Sequence, residues 1–408
     1  MNSKNAIFTI CAKNYLAHAK TLGYSLKEQQ PDCDFFILLS DEINGVDLKT
    51  PDFNIIEAKS LGIPDFEDMA FKYNVIEFST AIKPYFIDIL FKDKGYEKVL
   101  YIDPDMVVYS QLDFLFDDLE KYAAVLTPHL INPYVAYDGA TSEEELLFVG
   151  IYNLGFFAIK NDNVGNSIVQ WWKAKLKNQC YAEKEEGLHV DQKWMDFLPA
   201  LYGASIKISR HPGLNLAFWN FHERNLTKVG ERYLVDNEEL VILHFSGLVP
   251  SDLENVCRKQ NKYTLSNIPQ YRALFEDYVK ALEINGLSYL SKLTYHYNHF
   301  ANGTPIMDYY RRLYRQLIDD GKEFSNPFGD GTDSFFNLLK TNKLLLKGDP
   351  KKYSSLKKVY GENPPVVGRV FFALKLFKKL VGMDKYYLML RFFKINYRFE
   401  KQTYLINK

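Results

Sequence analysis

Residues 6–11 and 35–39 are short, nearly continuous apolar runs, the pattern of strands buried on both faces of a parallel sheet. Between them Tyr15, Ala19, Leu22 and Leu26 recur at helical spacing, so the chain opens strand–helix–strand. Residues 53–57 offer a third strand. Ser79 precedes a helical pattern through Ile82, Phe86 and Leu90, with Pro84 tolerated only near its start. Residues 98–102 predict the next strand, and 123–126, 156–159 and 241–244 three more. Residues 167–176 and 190–201 carry helical patterns. This alternation predicts an α/β domain with a Rossmann-like sheet, with ligands at the carboxyl ends of its strands.

After Gly247 the strand runs stop. Residues 271–287 and 305–318 are helical in pattern and rich in Tyr and Arg, so a boundary is expected near Leu248. A second shift follows Pro365, giving three expected segments: 1–248, 249–365 and 366–408. In the last, Lys375, Lys378, Lys379, Lys385, Arg391 and Lys394 interleave with Phe371, Phe372, Leu376, Leu388 and Phe392, opposed by Asp384 and Glu400. Such a basic amphipathic tail fits peripheral contact with an anionic membrane; a helix docked on its own protein fits equally. The Tyr- and Arg-rich segment around Arg311, Arg312 and Arg315 reads as a helical domain packed through its Tyr face with solvated Arg, or as a groove for an anionic or glycan acceptor.

The 408-residue chain is long enough for one large core and a smaller second unit. Its net charge of −1 gives no reason to expect nucleic acid. Cys11, Cys33, Cys180 and Cys257 are scattered without metal-type spacing and read as thiols in a reducing compartment. The first apolar run is too short for a signal sequence or a span, so the expected location is cytoplasmic, with the tail as the route to the inner face of the membrane. Internal repeats, zinc-type clusters and a Gly-rich phosphate loop are absent from the sequence.

Candidate chemistry centres on Val99-Leu100-Tyr101-Ile102-Asp103-Pro104-Asp105-Met106-Val107-Val108. Two carboxylates one residue apart sit between two apolar runs, and Pro104 stiffens the link and ends the strand. Paired carboxylates of this kind suit a hard divalent cation; a turn with two solvated acids is the plainer alternative. His244 ends the last apolar run. Placed in the same sheet it completes a site of one nitrogen and two carboxylates, suited to Mn²⁺ or Mg²⁺.

Asp103-Pro104-Asp105 resembles the DXD motif of GT-A-fold, nucleotide-sugar-dependent glycosyltransferases, above all the family 8 type that includes glycogenin and the lipopolysaccharide galactosyl- and glucosyltransferases. Other segments are similar in the same order. They are Thr9-Ile10-Cys11-Ala12-Lys13-Asn14-Tyr15-Leu16, Ala81-Ile82-Lys83-Pro84-Tyr85, Tyr152-Asn153-Leu154-Gly155-Phe156, Asp191-Gln192 and His244-Phe245-Ser246-Gly247. The likeness spans roughly residues 6–247. It implies a GT-A nucleotide-sugar-binding domain with a helical C-terminal extension. Thr9, Asn14 and Tyr15 would face the nucleotide, Tyr15 by stacking on the base. Asp103, Asp105 and His244 would hold the cation, and Lys83 would meet the donor phosphate or sugar. Asn153, Asp191 and Gln192 would face the transferred sugar. The implied activity is retaining transfer of a hexose-type sugar, from UDP-sugar above all, to a glycan or lipid-linked acceptor in bacterial surface polysaccharide synthesis.

One departure stands out: the family's Lys-Pro-Trp continuation after the His motif is replaced by Leu248-Val249-Pro250-Ser251-Asp252. An Asp-x-Asp phosphatase would carry Thr two residues after the second Asp, near the chain start; here that position is Val107. A nucleotidyltransferase would need the missing Gly-rich loop. A glycan-binding scaffold with a retired site would not need Lys83, Asp103, Asp105, Asp191 and His244 intact.

Overall fold

The computed structural model describes residues 4–48, 52–133, 139–346 and 364–406. Its contacts divide the chain into two units, Met1–Phe66 with Val75–Tyr295, and Glu67–Asn74 with His296–Lys408.

In the first unit the strands are β1 (Asn5–Cys11), β2 (Asp34–Leu39), β3 (Asn54–Glu57), β4 (Lys98–Ile102), β5 (Met106–Val108), β6 (Ala124–Leu126) and β7 (Phe156–Lys160). They continue as β8 (Ala182–Glu183), β9 (Leu188–His189), β10 (Ile206–Ile208), β11 (Leu226–Val229), β12 (Arg232–Val235), β13 (Glu238–Glu239) and β14 (Ile242–His244). Seven form the central sheet in the order β10-β6-β7-β4-β1-β2-β3. It is mostly parallel; β7 alone runs antiparallel, to both β4 and β6. β1 and β4 are buried along nearly their whole length, which is why they read as continuous apolar runs.

The first helix, Leu16–Gln29, buries Ala19, Leu22 and Leu26 of the face its spacing predicts, and Leu16 and Ala17 besides, while Tyr15 precedes the helix and is half-buried. Leu16, Ala17 and Ala19 share a core with Leu274, Tyr278 and Leu282 of the helix Arg272–Ile284, and Asn285 Nδ2 donates to Thr21 Oγ1 at 2.8 Å. These contacts carry the first unit past Leu248, where a boundary was expected, to Tyr295. The stacking of Phe245 on Tyr278, centroids 3.8 Å apart, spans the expected break.

Three further elements differ from expectation. The helical pattern after Ser79 is two helices, Val75–Ala81 and Lys83–Lys92, the second beginning with Pro84 in its first turn. Residues 190–201 form a 3₁₀ segment, Gln192–Phe197, followed by the single short helix Leu198–Tyr202. The last strand, β14, lies outside the central sheet and pairs antiparallel with β5, His244 opposite Met106. Pro104 explains the change. The chain turns at Asp103-Pro104-Asp105, with the Met106 amide donating to the Asp103 carbonyl at 3.2 Å, and β5 leaves the sheet to meet β14.

The second unit is helical. Phe71, Phe300, Tyr310, Leu313, Tyr314, Phe335 and Leu339 form its core. The arginines of the helix Asp308–Asp319 are not solvated as expected. Arg311 is fully buried and donates to the carbonyls of Phe71 (2.5 Å), Tyr73 (2.8 Å) and Tyr297 (2.8 Å), closing the carboxyl end of the helix Phe66–Lys72. The tail segment carries two helices, Pro364–Val381 and Met383–Asn396; residues 347–363, which hold most of the approach to the expected boundary at Pro365, lie outside the described residues.

Candidate metal centre

Asp103 directly follows β4, and its amide donates to the Gly155 carbonyl at 2.7 Å, which ties the turn to the start of β7. A Cβ on Gly155 would lie 2.5 Å from Met106 Cε, 2.8 Å from Asn153 Oδ1 and 2.9 Å from Asp103 Oδ2. Glycine is needed there because the carboxylate packs against bare backbone. Tyr101 donates its hydroxyl to Asp103 Oδ1, and Tyr15 reaches Asp105 Oδ2 at 3.4 Å.

His244 reaches the same point from β14. One ligand atom each from Asp103, Asp105 and His244 lie within 4.8 Å of one another, both carboxylates partly open and the imidazole buried. His244 Nε2 stands 3.2 Å from Asp105 Oδ1.

A chain of amides fixes which His244 nitrogen carries the proton. The Gly155 amide must donate to Asn153 Oδ1 (3.1 Å), and the Leu154 amide to Gln192 Oε1 (3.1 Å). Asn153 Nδ2 therefore faces Gln192 Oε1 and His129 Nε2, and Asn215 Nδ2 donates to Asn153 Oδ1 at 2.9 Å. That leaves Asn215 Oδ1 toward His244 Nδ1 at 3.3 Å. Nδ1 must donate, so Nε2 of the neutral ring presents its lone pair to the Asp105 carboxylate. Two electron-rich atoms at this distance repel unless a proton or a metal cation lies between them.

The electrostatics follow from this crowding. Burial pushes the Asp103 carboxyl up against the opposing charge of Lys83, while Asp105 adds to the rise. Burial also works against ionisation of Asp105, but when the His244 ring is protonated its charge and its Nε2–H hydrogen bond outweigh burial and hold that carboxyl at about 2. The donor set of one imidazole and two carboxylates fits a hard divalent cation of the Mn²⁺ or Mg²⁺ class.

The other expected residues divide into two groups. Lys83, Asn153, Asp191 and Gln192 come together around the centre, but as a closed polar floor. The Lys83 ammonium is buried, bonded to Asp191 Oδ2 at 2.5 Å and the Leu154 carbonyl at 3.0 Å, with the Tyr101 ring 3.8 Å away. Asp191 makes no capping bond to the helix it precedes, and burial raises its pKa against the pull of Lys83. Val190 just before it has φ +42°, a strained conformation for a β-branched residue that turns Asp191 toward Lys83. Gln192 Nε2 donates to the Val149 carbonyl at 2.8 Å.

The expected nucleotide-facing residues are placed differently from one another. Thr9 is buried within β1, and its hydroxyl has no hydrogen-bond partner among the described residues. Asn14 is exposed. Tyr15 is half-buried, one face of its ring stacked on His18 at 3.8 Å.

Asn215 closes residues 210–215, a run the sequence offers as a donor or acceptor loop or as core packing, but its bond to His244 was missed, as were His129 and the buried pair Lys13–Asp41 (3.0 Å) just past β1 and β2. Asn215 holds φ +59°, a left-handed conformation that asparagine tolerates, and nothing in its flanking pattern signals this. Asp41 carried a signal, lying two residues beyond the second apolar run.

No family model matches the chain. It is 25% identical to the uncharacterized protein YfnF of Bacillus subtilis (strain 168) over 304 residues, 73% of this chain and 98% of that protein. Among solved structures, the fold overlaps galactosyltransferase LgtC in complex with donor and acceptor sugar analogs, at 16% identity and a TM-score of 0.42, covering 68% of this chain and 95% of that one. It also overlaps the bifunctional glycosyltransferase WbbM (15%, TM-score 0.42, 69% of this chain, 50% of that one). A third overlap is with the glycosyltransferase GlyE of Streptococcus pneumoniae TIGR4 (17%, TM-score 0.39, 73% of this chain, 67% of that one).

Proposed function

We propose that this protein is a metal-dependent glycosyltransferase that moves a hexose-type sugar from a nucleotide diphosphate sugar to a glycan or lipid-linked acceptor, with retention at the anomeric carbon. The observation that carries this is the meeting of Asp103, Asp105 and the His244 Nε2 lone pair at the carboxyl end of β4, where an α/β sheet binds its ligands. A divalent cation held there would neutralise charge on a departing diphosphate.

Around that point the chain supplies the rest. Lys83 places an ammonium just behind Asp103, and its bond orients Asp191 and opposes the rise that burial gives that carboxyl. Asp191 and the amides of Asn153 and Gln192 form the polar floor at that point, their oxygens bonded to Lys83, Gly155 and Leu154; the motif resemblance would set them behind a carbon that becomes cation-like as the bond breaks. The exposed pair Arg258 and Lys259 follows in the same unit. The Lys259 side chain comes within 3.7 Å of the Cβ position of Gly247, and its charge acts on Asp105. A cation therefore stands near the carboxylates although the family's Lys-Pro-Trp run is absent. UDP-sugar as donor and bacterial surface polysaccharide as setting rest on the motif resemblance.

Calorimetric titration with a panel of nucleotide sugars, with and without Mn²⁺, tests the proposal. One donor class should bind at micromolar level with Mn²⁺ and at least tenfold more weakly without it. Binding of none, or metal-independent binding of all, would count against it.

A further inference from the structure

The helices Pro364–Val381 and Met383–Asn396 meet at Gly382, whose φ of +84° allows the sharp joint. Directly afterwards the chain packs back on the second unit, to which the helices belong. Phe399 lies 4.9 Å from the Tyr309 ring, and the buried Glu400 pairs with Arg315 at 3.7 Å. The two helices are thus tied at their carboxyl end to a packed core, yet no residue from 367 to 396 is buried. Phe372 is 70% exposed, Leu380 77%, Leu388 63% and Phe392 60%. Elsewhere in this unit Phe and Leu of the same kind form the core. Docking of these helices on their own protein, one of the two sequence expectations, is therefore not what the described residues show.

So large an apolar surface calls for a covering, and its charge says which. Between Arg369 and Lys394 there are seven Lys and Arg against one acid, Asp384. Lys375, Lys378 and Lys379 stand at i, i+3 and i+4, on one side of the first helix. A second copy of the chain would bring like charges together. No described helix is long and apolar enough to cross a membrane. We infer that the two-helix segment 364–396 lies in the surface of an anionic lipid bilayer, its Phe and Leu among the acyl chains and its Lys and Arg at the headgroup phosphates. The inference is independent of the chemistry at Asp103 and Asp105.

Full-length protein is co-sedimented with vesicles of phosphatidylcholine alone and with added phosphatidylglycerol, at low and high salt. Strong binding is expected only with phosphatidylglycerol at low salt. The triple variant Lys375→Gln, Lys378→Gln, Lys379→Gln should partition on the order of a hundredfold less. The double variant Phe372→Ser, Leu380→Ser should lose at least tenfold, both with unchanged melting because every altered side chain is exposed. Negligible binding of the wild type to anionic vesicles overturns the inference, as does equal binding by the variants. A salt-independent dimer that the Phe372 variant dissociates would show instead that a second copy covers the helices.

Discussion

Asn215 decides which nitrogen His244 offers, and it does so through amides anchored by the backbone of Gly155 and Leu154. Asn215→Gly keeps the left-handed backbone and removes only the amide. Mn²⁺ affinity should fall roughly 10–100-fold with the fold retained; titration calorimetry giving wild-type affinity would break the chain of inference from Gly155 to His244. His129 is the counterpart on the other side of Asn153. Its Nδ1 faces the Ile151 carbonyl at 3.0 Å, so its Nε2 accepts, and the ring must stay neutral. Burial lowers its pKa to about 4, with His244, His189 and Arg224 adding to the fall, and burial lowers that of His18 to about 4 as well. The unfolded chain binds these protons from about pH 6.5 downward while the folded chain does not. Stability should therefore drop on acidification between about pH 6.5 and 4, with a limiting slope of about 1.4 kcal/mol per pH unit for each ring. Urea melts of His129→Gln should show one proton less of that slope. Asp103, Asp105 and His244 were legible because the carboxylate pair after one apolar run and the His closing another resemble, in the right order, the motifs of a known family; alone, each reads equally as a turn or a structural His. Asn215 and His129 were not, since their roles depend on a backbone angle and on neighbours far along the chain.

The turn between β4 and β5 works as a unit with the start of β7. Gly155→Ala drives a methyl into Met106, Asn153 and Asp103 together, and all three are held. A loss of about 1–3 kcal/mol in urea unfolding is expected, with weakened metal binding; an unchanged midpoint and unchanged affinity would show that the turn can move. Strands β1, β2 and β4 were legible because burial on both faces leaves an unbroken apolar signature. The pairing of β14 with β5 was not, because a three-residue strand carries no period and its partner is chosen by the bend at Pro104. The helix expected at 190–201 failed for a local reason. The positive φ of Val190 and the 3₁₀ turns of Gln192–Phe197 answer to the Lys83–Asp191 contact rather than to helical spacing.

At the scale of the molecule, a mostly parallel sheet carries the candidate centre in one unit and a Tyr-rich helical core forms the other. Alternation of apolar runs made the first legible. The helical content of the second was legible too, but not that its arginines are internal. Arg311→Ala should cost about 3 kcal/mol or more, since at least three buried carbonyls lose their donor; a denaturation midpoint within error of wild type would contradict that role. The central claim is that Asp103, Asp105 and His244 together hold a cation required for breaking a sugar–diphosphate bond. It is tested most directly by nucleoside diphosphate release from the donor that binds, in matched Mn²⁺ and chelator, for wild type and Asp105→Asn. Release should require Mn²⁺ and fall at least about a hundredfold in the variant at unchanged melting temperature; wild-type turnover in chelator, or undiminished turnover by Asp105→Asn, would contradict the account.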